Sequence, residues 1–132
     1  MEAYKKVIAL DPGHFGALNN LAWIYAQQKR DLNEAHAWAT KAVKLQPKNG
    51  LILDTLGYIL YQQGRLDQAE ARLKEALQVL PREAAILYHL GLVAHAQGHK
   101  DQAMTALQRA LLLNPDFSEA HEARLLLKQL SG

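Results

Sequence analysis

"LGYILYQQGRLDQA" runs from Leu56 to Ala69, and "LGLVAHAQGHKDQA" runs from Leu90 to Ala103. Seven of the fourteen positions are identical, and the two lines lie 34 residues apart. Each puts one glycine inside an apolar run (Gly57, Gly91) and a second at the same place ahead of Asp-Gln-Ala (Gly64, Gly98). Self-similarity at a fixed period is the mark of an architecture in which one supersecondary unit recurs and neighbouring copies bury each other's apolar faces. The prolines keep the same time. There are four, Pro12, Pro47, Pro81 and Pro115, at spacings of 35, 34 and 34 residues. Each follows an apolar stretch at helical spacing, where a proline stops one helix without disrupting the next.

Between Pro47 and Pro81, Leu53, Leu56 and Leu60 recur at intervals of three and four, one face of a helix. "QQGRLD" breaks that pattern, and Gly64 suits a left-handed helix end. Asp67 is then expected to cap a second helix with the stripe Ala69, Leu73, Ala76, Leu77 and Leu80. The same unit returns with Leu87, Leu90, Gly91, Gly98, Asp101, Ala103, Leu107, Ala110 and Leu111. An earlier copy reads Leu18, Leu21, Ala22, Tyr25, Ala35, Ala39 and Ala42, with one extra residue in its turn, "QKRDLNEA", and Lys29 in place of glycine. A glycine within a helix costs about 1 kcal/mol relative to alanine. Gly57 and Gly91 therefore imply a neighbouring helix that packs closer than a side chain allows, with Ala69 and Ala103 as the expected surfaces.

The composition narrows the function. A chain of 132 residues, 49% hydrophobic and 21% charged, has the make-up of one globular domain. Its wholly apolar runs, Ala110 to Leu113 among them, are all too short to span a bilayer, so no membrane insertion is expected. The net charge of +2 is scattered in both signs, without the basic run that a phosphate backbone attracts. The absence of cysteine rules out disulfides, thiolate metal sites and cysteine catalysis, and is compatible with cytoplasm or periplasm alike. Only two serines occur, Ser118 and Ser131, and the internal glycines sit in helices, not in a phosphate loop. No catalytic constellation and no cofactor site is legible, so an enzyme is not expected. His95 and His99 are four apart, a ligand spacing, but Gly98 falls between them at a helix end and no carboxylate joins them. They read as solvated histidines near a turn, and no metal is expected.

On these residues the chain resembles the tetratricopeptide repeat family, whose signature is a large residue, then Leu-Gly and Tyr, then Ala and Phe, then Pro on a 34-residue period. The pattern stands here as Leu53, Leu56, Gly57, Leu60, Ala69, Leu73, Pro81 and again as Leu87, Leu90, Gly91, Ala94, Ala103, Leu107, Pro115. The first copy departs from it, with Ala22 for the glycine and Ala39 for the phenylalanine, though Tyr25 is kept. The resemblance implies an all-α fold, a right-handed superhelical solenoid of antiparallel helix pairs. Residues 1–12 match the second helix of a partial repeat, 13–47, 48–81 and 82–115 are expected to be three repeats, and 116–132 a C-terminal helix starting near Ser118. That helix reads as a polar-faced cap or as the first helix of a further repeat.

The resemblance also implies a function class: a non-enzymatic scaffold, of bacterial style, that binds a peptide or helix of a partner protein in a concave groove lined by the first helices. By phase the groove residues are Asn19, Asn20, Trp23, Asp54, Thr55, Tyr58, Tyr61, Gln62, Tyr88, His89, Leu92 and His95. The family's chaperone-tail clamp of two Lys, two Asn and an Arg is not matched by Asn19, Trp23, Thr55, Ala85 and His89, so such an adaptor is not expected. Two alternatives stand beside this reading. One is self-assembly through exposed solenoid ends. The other is RNA binding, as in the related 35-residue helical repeats, although basic residues do not collect on the first helices. Trp38, beside His36, is expected either to pack against the longer turn or to offer a convex contact.

Overall fold

The computed structural model describes residues 2–132, so only Met1 of the expected partial repeat lies outside it. The described residues form eight α-helices and no strand: α1 (Glu2–Leu10), α2 (Phe15–Gln27), α3 (Leu32–Leu45), α4 (Gly50–Gln62), α5 (Leu66–Val79), α6 (Ala84–Ala96), α7 (Lys100–Leu113) and α8 (Ala120–Ser131). The fold is an all-α helical repeat. All four prolines lie in turns between helices. Two compact units divide the chain, the first ending at Val79 and the second running from Leu80 to Gly132. In the first, α2 pairs with α3 and α4 with α5, α4 packs on both α2 and α3, and α1 lies on α2. In the second, α6 pairs with α7, and α8 packs on α7.

Each helix pair is joined by the same hydrogen-bonded step. After α4 the Gly64 N–H donates to the Tyr61 carbonyl at 3.0 Å, and the Arg65 N–H donates to the Leu60 carbonyl at 2.9 Å. After α6 the Gly98 and His99 N–H groups donate to the His95 and Ala94 carbonyls in the same way, at 3.0 and 2.8 Å. This double closure needs one left-handed residue, and glycine supplies it at φ 79° and 83°. After α2 the bonds recur from Lys29 to Ala26 and from Arg30 to Tyr25, but Lys29 adopts the left-handed backbone, at φ 53°. The extra residue of this turn is Asp31, also left-handed at φ 46°. A side chain in that conformation costs roughly 1–2 kcal/mol. Lys29→Gly is therefore expected to stabilise the protein by about 1 kcal/mol in chemical denaturation followed by far-UV circular dichroism. An unchanged midpoint would contradict a strained Lys29.

Two expected boundaries move. α5 begins at Leu66 and α7 at Lys100, so Asp67 and Asp101 lie inside the first turn and not at the cap. There they still complement the partial positive charge of the helix start. α8 begins at Ala120, not near Ser118, because Ser118 and Glu119 belong to the preceding turn. Elsewhere capping is direct. Asn49 Oδ1 accepts from the Leu51 and Ile52 N–H groups at 3.1 and 3.2 Å and starts α4. His14 Nδ1 accepts from the Ala17 N–H at 3.0 Å and starts α2, a structural task for a histidine that the sequence leaves isolated.

The second helices bury matching triplets: Ala35, Ala39 and Ala42 on α3, Ala69, Leu73 and Ala76 on α5, Ala103, Leu107 and Ala110 on α7. The glycines face the middle member. A Cβ built on Gly57 would lie 2.6 Å from Leu73 Cγ, and one on Gly91 would lie 2.9 Å from Leu107 Cγ and Cδ2. The close neighbours are thus the Leu73 and Leu107 side chains, while Ala69 and Ala103 meet the glycines only through their carbonyl oxygens, at 3.5 Å. The first copy carries the reciprocal pair: Ala22 stands at the glycine position and Ala39 at the leucine position, both fully buried. Its departure from the pattern is one volume exchange, with a methyl gained on one helix and a leucine side chain lost from the other.

Candidate partner-binding face

In the first unit α2 and α4 lie against each other and bring together side chains that the sequence separates by a whole repeat. Asn19 and Trp23 are four apart on α2, and Asp54, Tyr58, Tyr61 and Gln62 fall at steps of three and four on α4, so each set occupies one helical face. The Trp23 and Tyr58 rings meet at 5.1 Å between centroids, tilted by 45°. Tyr58 and Tyr61 stack at 6.1 Å with 30° between their planes. Gln62 Nε2 donates to the Tyr58 hydroxyl at 2.8 Å, fixing that ring from one turn away. All three aromatic residues are half-buried, and burial pushes the Tyr61 phenol above its ordinary pKa. Its hydroxyl therefore stays protonated through neutral pH.

The amides flank this ladder. Asn20 is exposed, and its Nδ2 donates to the Tyr4 hydroxyl at 3.5 Å. Asn19 is half-buried, and its Oδ1 atom is buried with no hydrogen-bond donor among the described residues. The sequence places Tyr4 at the position held by Leu73 in a later copy, a packing role; the structure gives its hydroxyl to this face. The polar end of the ring is the signal that separates the two, since a leucine has none.

Four of the expected groove residues lie deeper than phase alone suggests. Asp54 is 7% exposed, Tyr88 9% and His89 2%, so little of their surface is open to a partner. Tyr88 is the clearest correction. It sits in an apolar cluster with Leu107 and Ala123, ringed by Leu92, Leu111, Phe117 and three leucines of α8. Phe117 approaches it edge-on at 6.0 Å, and the His89 ring lies 5.7 Å away. Helical phase placed Tyr88 on the outer face of α6, but the turn before α8 and α8 itself fold over that face. Thr55 is buried as well, and its hydroxyl donates back to the Leu51 carbonyl at 3.0 Å. His95 is exposed in the last turn of α6, and Leu92 is half-buried in the Tyr88 cluster.

Two features lie off this face. Trp38 packs edge-on against the buried Tyr25 at 4.9 Å, and Tyr25 carries the Arg30 guanidinium 4.4 Å from its ring centre. Trp38 thus reaches the longer turn indirectly, through Tyr25, which joins it to Arg30. A cleft of about 350 Å³ lies between α3 and α5, floored by Leu56 and Leu60, with His36 on one wall and the Arg72–Glu75 ion pair (2.8 Å) on the other. Burial, with help from Arg65, holds the His36 imidazole below its ordinary pKa. The cleft lay outside the sequence reading because its walls come from polar positions of second helices, which look like plain solvated surface. No group of three or more His, Asp or Glu side chains is placed to hold a metal ion among the described residues. None of their helices is long and apolar enough to cross a membrane.

The solved structure of MamA is 27% identical, superposes with a TM-score of 0.78, and shares 99% of this chain and 76% of its own. The first TPR of Spaghetti, bound to the HSP90 peptide SRMEEVD, superposes at 0.78 over 89% of this chain and 90% of its own, at 20% identity. A TPR repeat-containing protein of Pseudomonas aeruginosa is 42% identical over 60 residues, 46% of this chain and 10% of that protein. The chain therefore spans about a tenth of the curated relative it matches. Family models described as the tetratricopeptide repeat match residues 3–37 and residues 60–127. The second of these covers more than half of the chain and takes in the Gly91–Leu107 contact between α6 and α7, and the protein belongs to the tetratricopeptide repeat family.

Proposed function

We propose that this chain is a non-enzymatic interaction module that binds a peptide or helix of a partner protein on the face formed by its first helices α2 and α4. One observation carries the reading: the half-buried ladder of Trp23, Tyr58 and Tyr61 on α2 and α4. Tyrosine and tryptophan offer large rigid contact area with a polar edge, which is the chemistry of interface anchors. The likeness to a repeat domain solved with a peptide supports the same class. The nucleic-acid alternative is less well supported, since α2, α4 and α6 contain no lysine or arginine with which to neutralise phosphates.

The test is capture of partners by the wild type and by Tyr58→Ala, with far-UV circular dichroism on both. Recovery of a partner is expected to fall about tenfold or more, the size of a hot-spot truncation, with helicity unchanged. Equal recovery by both proteins would move the interaction to another face, and the cleft between α3 and α5 is the next place to mutate.

A further inference from the structure

We infer that the α2–α4 face takes a partner segment through an arginine or lysine side chain, its cation lying against the Trp23, Tyr58 and Tyr61 rings. The inference rests on the proposed function and adds the charge of what is bound. Over their combined lengths α2 and α4 contain one charged residue, Asp54, and it is acidic. No cation of these two helices competes for the rings, and none is available to greet an acidic ligand. The rings themselves present negative π faces, and a cation held within about 6 Å of such a face is attracted more strongly as water is excluded. The ladder is half-buried and so partly dry before any ligand arrives.

The polar atoms beside the ladder favour a donor. Asn19 Oδ1, one turn before Trp23 on the same helix, is a buried acceptor that receives no hydrogen bond among the described residues. Such an atom carries a desolvation cost until a donor reaches it. A guanidinium has five N–H donors and an ammonium three, and neither accepts. The protein shows the same pairing internally: Tyr25 holds the Arg30 guanidinium at 4.4 Å and Lys5 Nζ at 5.6 Å from its ring centre. An acidic tail would find no cation on α2 or α4 and, at Asn19, an acceptor oxygen where it has no donor to give.

The test is calorimetric titration of the whole chain with three acetylated, amidated peptides of one length. The first carries two arginines among alanines and leucines, the second replaces both with citrulline, and the third with glutamate. Citrulline keeps the shape of arginine, its Nε–H and one terminal NH2, exchanges the other nitrogen for a carbonyl oxygen, and removes the charge. The arginine peptide is expected to bind about tenfold tighter than the citrulline peptide, as for a partly desolvated cation on an aromatic face. Tyr58→Leu is expected to erase the difference with unchanged circular dichroism, and Tyr58→Phe to keep it, because the π face survives. Equal affinity for the arginine and citrulline peptides, both weakened by Tyr58→Leu, would overturn the charge inference and leave the interaction face standing. Arginine-peptide binding that ignores Tyr58→Leu would overturn both for this face. Tighter binding of the glutamate peptide, or no binding of the arginine peptide, would overturn the inference alone.

Discussion

Gly57→Ala is expected to lower the stability of the protein by about 2 kcal/mol, although alanine is the better helix former by about 1 kcal/mol. The new methyl would sit 2.6 and 2.7 Å from Cγ and Cδ2 of Leu73, a fully buried side chain that would have to shift. Contacts of that length force off-rotamer side chains or a helix shift, at a typical cost of about 1–3 kcal/mol, here at the upper end. Leu73→Ala, in turn, is expected to cost about 3 kcal/mol, from lost burial and the cavity left behind. The decisive measurement is the double variant. With Leu73 truncated the methyl has space, so Gly57→Ala is expected to stabilise the Leu73→Ala protein by about 1 kcal/mol, reversing its sign. The first repeat already has this combination as Ala22 and Ala39. If urea denaturation gave the two changes additive costs, the contact would not be the reason for the glycine.

Tyr88→Ala is expected to destabilise the protein by about 3 kcal/mol, in the range of truncated buried aromatics. It removes the ring that Phe117 meets edge-on and that Leu107, Ala123 and the α8 leucines enclose. Its effect on partner binding should follow from unfolding alone and disappear under conditions where the variant is fully folded. Tyr88→Phe keeps the ring and is expected to cost far less, since only the hydroxyl changes. Tyr58→Ala, at a half-buried position, should show the reverse pattern of a small stability loss and a large binding loss. A stable, fully folded Tyr88→Ala with impaired binding would restore Tyr88 to the partner face.

The residues differ in how much of this the sequence reveals. Helix pairs, turns and the repeat period are local or periodic properties, written in Leu53, Leu56 and Leu60, in Gly64 and Gly98, and in the four prolines. The left-handed closure after each first helix depends on a handful of consecutive residues, so glycine announces it in the sequence, whereas at Lys29 the structure alone shows it. Burial on the groove side was not readable. Tyr58 and Tyr88 lie on corresponding faces of consecutive first helices, one turn apart in phase (Tyr58 aligns with Leu92, Tyr88 with Asp54), yet Tyr58 joins a half-open aromatic ladder and Tyr88 lies under α8. The difference comes from Phe117 and the leucines of α8, more than 25 residues further along, and no periodicity within α6 reports them.

The sequence by itself determined the all-α repeat and its 34-residue unit, because those follow from spacing, turn chemistry and composition along one chain direction, and the class of function came with the family that this pattern resembles. The tertiary structure alone decided which atoms the glycines make room for, why Ala22 and Ala39 depart together, and which aromatics remain at the surface. These are facts of helix-to-helix distance, where a single methyl or one covering helix changes the answer, and a linear pattern carries no record of what lies across the gap.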